Sequence, residues 1–597
     1  MSKVKVNFTF ADTIHEFEAG TLLSNACSEA GFAQDLVCGG NGKCGKCAVE
    51  IRCEGKRETV LSCKYPLEKD IEVIKIFNRA DRVVNVLTTN NNLNCAINPM
   101  LSYLHVTGDD IMPDHCASFE SKIKEKYKLE VSYHTMKKLA YSANVDAGDK
   151  DFNFVVFNNE IIDVNYDDDD RIYGLAIDIG STTVAAYLYD MNDAKLIGTY
   201  SSLNAQTALG ADVISRIGYA VKEPDGLEVM QKKVCDTINK LLAQAREQDG
   251  IDTNRIYHTC LCGNSTMQHL FLGLYPKSLG NAPFVSTTHD SVEIKASELP
   301  LDLNPECVIT FLPLLGGFVG ADTTAVLIGL EDDGNVRLAI DLGTNGEIAV
   351  GTKERYVIAS TACGPALEGA GLSCGMRAAD GAVQHFKIND DGSCELDVIG
   401  NCEPAGICGS GIIDILAELI RHNVINSRGQ MMTREKYVDR NGEDLLCERL
   451  IKLEDGINAF EVAPGVTFSQ LDAREIQKAK AAIMAGCLMI IEKYSRVYKD
   501  GKFTPEDIHE VCLAGAFGNY LSVEQAQLIG LFPDIPGVPV RSIGNGAGTG
   551  VQMYLLDKGS VKKCRTVQQN SDHTELNFEE DFMETYFDEM TFKNANF

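Results

Sequence analysis

Cys38, Cys44, Cys47 and Cys63 are spaced C-x5-C-x2-C-x15-C, and four thiolates in that order can wrap a small inorganic cluster. An iron–sulfur cluster takes cysteine ligands from several directions and needs backbone amides turned toward its sulfurs. Gly39, Gly40, Gly42 and Gly45 let the chain approach that closely. Zinc is the competing chemistry, but zinc sites usually pair two short-spaced couples, and only the C-x2-C of Cys44 and Cys47 is present. The spacing therefore favours a cluster and one-electron transfer.

A second chemistry is written twice. GLAIDIGSTTVAAYLYD (174–190) and RLAIDLGTNGEIAV (337–350) share one pattern, an apolar strand, an Asp, a small-residue turn and a second apolar strand. One such turn would mean little, but internal repetition is an organisational signal. Each copy predicts a β-hairpin whose turn exposes N–H groups and hydroxyls to phosphate oxygens. Asp178 and Asp341 stand where they can hold Mg²⁺ through water, and Gly180, Ser181, Thr182, Thr183, Gly343, Thr344 and Asn345 can cradle phosphoryl groups. Asp322 and Asp341 are the nearest candidates for orienting an attacking water, and some phosphoryl-transfer sites position that water without a strong base.

The elements that must position these groups follow from hydrophobic period. VKVNFTF (4–10) alternates like a strand and HEFEAG follows as its hairpin partner. TLLSNACSEAG (21–31) reads as a Thr-capped helix, and AVEIRC (48–53) and IEVIKIF (71–77) as further strands. The expected organisation is an N-terminal cluster domain over 1–87, a turn-rich linker over 88–100, a small intermediate domain over 101–170 that closes on the acidic run Asp167–Asp170, and a large nucleotide domain over 171–597. Within the intermediate domain, VSYHTMKKLAYSA (131–143) and DFNFVVFNNEIIDV (151–164) carry the clearest pattern.

Composition excludes several classes. A chain of 597 residues exceeds one comfortable core. Its net charge of −30, from 85 acidic and 55 basic side chains, and its lack of a basic-aromatic stripe make nucleic acid an unfavourable partner. The longest apolar run, AAIMAGCLMII (481–491), is too short to span a bilayer and MSKVKVNFTF has no signal-peptide core, so no membrane association and a cytoplasmic location are expected. Twenty-one cysteines then fit a reducing, anaerobic compartment better than a disulfide framework. Cys27, Cys53, Cys260, Cys262, Cys402 and Cys408 are expected as buried thiols, and His258 and His269 as structural residues.

The first eighty residues resemble the plant and adrenodoxin type of β-grasp ferredoxin, which implies a [2Fe-2S] cluster held by Cys38, Cys44, Cys47 and Cys63. The paired hairpins resemble the phosphate motifs of the ASKHA superfamily, the acetate and sugar kinases, Hsp70 chaperones and actin. In that resemblance FLPLLGGFVGADTTAVLIGL (311–330) and IGNGAGTGVQMYLL (543–556) stand for the two connecting helices. VCLAGAFGNYL (511–521) stands for the adenosine motif, with Gly515 and Gly518 at the base and ribose, although Ala516 replaces the second glycine of the usual pair.

A ferredoxin fused to an ASKHA ATPase resembles the reductive activators of corrinoid proteins, and LNAQTALGADVISRI (203–217), CGNSTMQHLFLG (262–273), STACGPALEGAGLSCGMRA (360–378), PAGICGSGIIDIL (404–416) and LDAREIQKAKAAI (471–483) share that likeness. It implies ATP with Mg²⁺, and one-electron reduction of inactive Co(II) to Co(I) in a methyltransferase or O-demethylase system. It also implies a corrinoid protein partner, a reduced donor such as a ferredoxin, flavodoxin or reductase, and a homodimer. Ser373 and Cys374, in GLSCGMR (371–377), are the candidate corrinoid contacts. Only Cys564 follows Cys512, so a second, C-terminal cluster is not expected. The alternative is a small-molecule kinase with a regulatory ferredoxin module.

Overall fold

A computed structural model describes residues 3–30, 32, 34, 42, 47–76, 93, 95–112, 116–142, 151–166, 169–369, 371–442, 444–515 and 521–595. Near the N terminus, alternation places Val4, Val6 and Phe8 on one buried face. Five strands form one sheet in the order Thr13–Glu18, Lys3–Phe8, Ile71–Ile76, Ala48–Cys53 and Lys56–Leu61, with the first and last of these in the chain, Lys3–Phe8 and Ile71–Ile76, paired in parallel. That is the strand order of a β-grasp. Helix Leu23–Glu29 buries Leu23, Ala26 and Cys27 in the same small core, and burial pushes the Cys27 thiol up to about 12.

The expected Thr21 cap is corrected by the structure. Leu22 occupies the cap position and no side chain closes the helix start. The carbonyl of Tyr65 accepts from Leu23 N at 2.8 Å instead, so a tertiary backbone contact satisfies an amide that local capping would have served.

The next sheet has two buried faces. Strands Leu101–Thr107, Asp151–Phe157, Glu160–Asn165 and Glu130–Val131 lie in that order. Phe152, Phe154, Val156, Ile161 and Val164 make a local core with helices Phe119–Tyr127 and Tyr133–Ser142 beside it. Leu101, Val155, Phe157 and Ile162 face the other way, into the core of the following lobe. Phe157 stands edge-on to His258 with ring centroids 4.9 Å apart, and the Tyr257 hydroxyl donates to Asp163 at 3.1 Å.

The repeated sequence pattern becomes repeated topology. In the first lobe the strands run Lys195–Leu203, Thr183–Asp190, Tyr173–Ile179, Ile256–Gly263, Val308–Phe311. In the second they run Arg355–Thr361, Gly346–Thr352, Arg337–Leu342, Glu510–Ala514, Val540–Gly544. Five of the six strands in each sheet thus make an antiparallel hairpin plus a third strand, with two parallel strands added beside the first. The sixth differs: Val292–Lys295 pairs with Val308–Phe311 in one and Ser571–His573 with Arg355–Thr361 in the other. The near-continuous apolar runs of these strands fit sheets covered on both faces.

Each lobe ends in a helix, Ala321–Gly329 and Gly546–Leu556, and the two cross closely. A Cβ on Gly550 would lie 1.9 Å from the Ala325 carbonyl oxygen, so the crossing admits only glycine. Just beyond the second helix, Asn98 pairs with the chain: its N–H donates to Leu556 O and its carbonyl accepts from Lys558 N, both at 2.9 Å. Behind the second lobe lies helix Gln470–Tyr498, whose residues 481–491 are largely buried in the core. No helix among the described residues is long and apolar enough to cross a membrane.

Candidate nucleotide site

The two hairpin turns face one cavity of about 460 Å³. Its wall includes Asp178, Gly180, Ser181, Thr182 and Thr183 from the first hairpin and Asp341, Gly343, Thr344 and Asn345 from the second, with Asp322 and Gly515. Asp178 and Asp341, 163 positions apart in sequence, are joined here because the two lobes share one topology. Gly180 has no room for a side chain, since a Cβ would meet the Thr183 carbonyl oxygen at 2.6 Å. Gly515 has φ 111° and its Cβ would lie 2.4 Å from Leu342 O, so the chain passes tight against the second hairpin. Gly518, like Cys38 and Cys44, lies outside the described residues.

Three aspartates reach the cavity from three elements. Asp178 and Asp341 end the leading strands of the hairpins, and Asp322 sits in the first turn of helix Ala321–Gly329. Burial pushes Asp178 up to about 6, where the Asn545 amide (3.1 Å) and the more distant Cys262 thiol oppose the shift. Burial and the neighbouring Asp178 charge push Asp322 to about 7, and burial with the charges of Asp322 and Asp178 does the same for Asp341. Glu347, beyond the second turn, is raised well above the carboxylate range by burial and by Asp322 and Asp341. Such mutual repulsion in a low-dielectric site is relieved by a cation. The described residues hold no set of three ligands converging on one point, and carboxylates around a shared space suit an ion that keeps its water.

Residues beyond the two motifs complete the wall. Asn264, from the CGNSTMQ segment, donates to Ser181 Oγ at 2.9 Å, and Asn545 caps helix Gly546–Leu556 while binding Asp178. Glu368 accepts from Thr344 Oγ1 at 2.8 Å. Arg377, Asp397, Gly409 and Ser410 close the far side. Gly409 begins helix Gly409–Arg421, and a Cβ on Gly411 would lie 2.1 Å from Val383 O, which makes the glycines there a strand-to-helix packing device.

Ser373 and Cys374 are placed elsewhere. They do not line the cavity; Ser373 donates from its N–H (2.8 Å) and its hydroxyl to Asp472, and Cys374 lies against Thr467. His258 is buried, held neutral by burial that pulls it down to about 3, and His269 bonds Ser265 O and Thr287 N. Beside the N-terminal sheet, Cys47 just ahead of strand Ala48–Cys53 and Cys63 in the turn after Lys56–Leu61 bring their sulfurs to 3.2 Å, both residues buried. Gly42, at φ 74°, completes the described part of their loop.

Two lobes of duplicated topology, a strand–Asp–turn–strand hairpin in each and a carboxylate-lined cavity between them define the ASKHA class of nucleotide-binding proteins. Residues 335–597 match the family described as the C-terminal ASKHA domain of RACo, and residues 173–332 match the RACo middle region. Corrinoid activation enzyme RamQ of Eubacterium limosum is 40% identical over 98% of each chain. A Co(II) methylated amine-specific corrinoid protein reductase of Methanosarcina barkeri is 24% identical over 70% of this chain and 77% of its own. A solved reductive activator for a corrinoid, iron-sulfur protein superposes with TM-score 0.73 at 28% identity, covering 99% of this chain and 98% of that one. The chain belongs to the family of reductive activators of corrinoid proteins.

Proposed function

We propose that this protein uses ATP to drive one-electron reduction of a corrinoid protein from Co(II) to Co(I). The observation that carries the reading is the cavity between duplicated hairpins, lined by Asp178, Asp322 and Asp341, in a chain whose N-terminal portion brings the sulfurs of Cys47 and Cys63 to 3.2 Å. A small-molecule kinase is not favoured, because the relatives are named for corrinoid activation and corrinoid protein reduction.

In this reading residues 1–87 are a ferredoxin domain, 88–100 a linker, 101–170 an intermediate domain and 171–597 the ATPase. Cys47 and Cys63 fit a [2Fe-2S] cluster as two of its four ligands, Cys38 and Cys44 supplying the others, and the bound cluster would supply single electrons. The turn amides at 181–183 and 344–345 would hold the phosphates of ATP. The aspartates would hold the hydrated Mg²⁺, and Asp322 or Asp341 would orient the attacking water. Gly515 and Gly518 would admit the adenosine.

Co(II) lies at a more negative potential than an ordinary ferredoxin, so the transfer runs uphill unless another free energy is coupled to it. Nucleotide can supply it only by binding one lobe arrangement better than another. Closure of the two hairpins over one ligand provides that difference. The corrinoid contact of Ser373 or Cys374 belongs to the same proposal, with the loop held by Asp472. A reduced ferredoxin, flavodoxin or reductase would reload the N-terminal domain, and a homodimer and a cytoplasmic site of action complete the picture.

The test follows the cobalt. Protein purified without oxygen is mixed with reductant and a Co(II) corrinoid protein, and visible spectra are taken with and without Mg-ATP. Co(I) should accumulate only with Mg-ATP; equal accumulation without nucleotide, or a phosphorylated small molecule in its place, overturns the reading.

A further inference from the structure

Behind the first phosphate turn sits a charged side chain with no part in the chemistry so far. Arg216, on helix Val213–Lys222, is fully buried, and among the described residues no carboxylate forms an ion pair with it. Its Nε donates to Gly210 O at 3.0 Å, its Nη1 to Gln206 Oε1 at 3.4 Å and toward Met267 Sδ at 3.5 Å, and its Nη2 to the Ser181 carbonyl. The nearest acid to influence it, Asp212, is occupied in capping Ser215 N. Burying an arginine without a counter-ion is costly, and such a charge persists where the surrounding structure has use for it.

The use is visible in the turn itself. Gly180 O accepts from the Asn204 amide at 3.0 Å, Thr182 O accepts from Asn204 N at 2.9 Å, and Ser181 O accepts from Arg216. All three carbonyls of the turn are therefore drawn to the rear. In a planar trans peptide the N–H points opposite to the C=O, so the amides of Ser181, Thr182 and Thr183 are turned toward the cavity. Gly210 makes the approach possible, since a Cβ there would meet the Arg216 side chain and backbone at 2.8 Å. Asn204, Gln206, Gly210 and Arg216 all belong to 203–217, a segment outside both hairpins.

We infer that Arg216 is a positioning residue for nucleotide phosphate: it fixes the amide cradle from behind and places an uncompensated positive charge one peptide unit from the bound anion. The inference rests on the nucleotide reading of the cavity. A merely structural arginine would affect stability and leave untouched the preference for phosphorylated over unphosphorylated ligand.

Calorimetric binding of adenosine, ADP and ATP with Mg²⁺ to the full-length protein separates the two. Arg216→Met should weaken ATP by about tenfold to a hundredfold and adenosine by less than about twofold, because the lost charge and its hydrogen bond to the Ser181 carbonyl act only through the phosphate cradle. Arg216→Lys, which keeps the charge and loses the fork, should fall between wild type and Arg216→Met for ATP. An unchanged gap between adenosine and ATP in a folded Arg216→Met protein overturns the inference. Where Arg216→Met shows no cooperative melt, Arg216→Lys decides: equal losses for adenosine and ATP, or none, overturn it. Wild-type protein that fails to distinguish the three ligands sinks the nucleotide reading along with this one.

Discussion

At the scale of single residues the cavity is an arrangement of strained charges. Asp178, Asp322 and Asp341 sit at about 6, 7 and 7 in the folded protein, against about 3.9 for an unfolded aspartate. Between those values the folded state binds more protons, so the group's contribution to stability is greatest below about pH 4 and declines as pH rises through 6 to 7. Calorimetric melting of the metal-free protein should show this decline, and Asp322→Asn should flatten it; an unaltered profile would mean the cluster is not the cause. Mg²⁺ needs the deprotonated carboxylates, so its affinity should rise between pH 5.5 and 8 by about tenfold, read by titration in the presence of ATP. At the other end of the chain, Cys63→Ser should abolish the visible absorbance and the EPR signal of the cluster while ATP still binds. Retained signal would assign the ligands differently.

Elements explain how much of this was legible. The two hairpins were readable because strand, Asp and turn are contiguous, and repetition made each copy evidence for the other. Asn264 and Asn545 were inside recognised segments, yet their role arises only when separate strands set them beside Ser181 and Asp178. Glu347 lies two residues past Asn345, but only burial beside two other acids makes it exceptional. The Thr21 cap failed because Tyr65, more than forty residues on, reached the helix start first. The bond from Ser373 to Asp472, across the fold, was invisible locally. The crossing of the connecting helices yields its own prediction. Gly550→Val should lower stability by about 1–3 kcal/mol in chemical denaturation and weaken the ATP dependence of ATPase rate, because the helices can no longer cross at backbone contact. Full ATP-dependent activity in that variant would show that the close crossing has no part in lobe closure.

For the whole molecule the question is which parts move as one. The sheet of residues 101–165 shares its second face with the first lobe through Leu101, Val155, Phe157 and Ile162, so it is built into the ATPase. A protein lacking residues 1–92 should keep nucleotide binding and lose corrinoid reduction. Adding the N-terminal portion as a separate chain should restore reduction only at concentrations near the millimolar range that a short tether provides; full rescue at micromolar concentration would mean that covalent linkage is immaterial.

The pairing of Asn98 with Leu556 and Lys558 fixes one end of the segment that leads from the N-terminal sheet. From Ile76 to Asn98 the chain can span at most about 75 Å of contour, and its root is the tail of the second connecting helix. That length bounds how far from the second connecting helix the N-terminal sheet can lie in any arrangement of the chain. On the proposed reading, a corrinoid protein bound beyond that reach cannot be reduced by this chain, whatever its affinity.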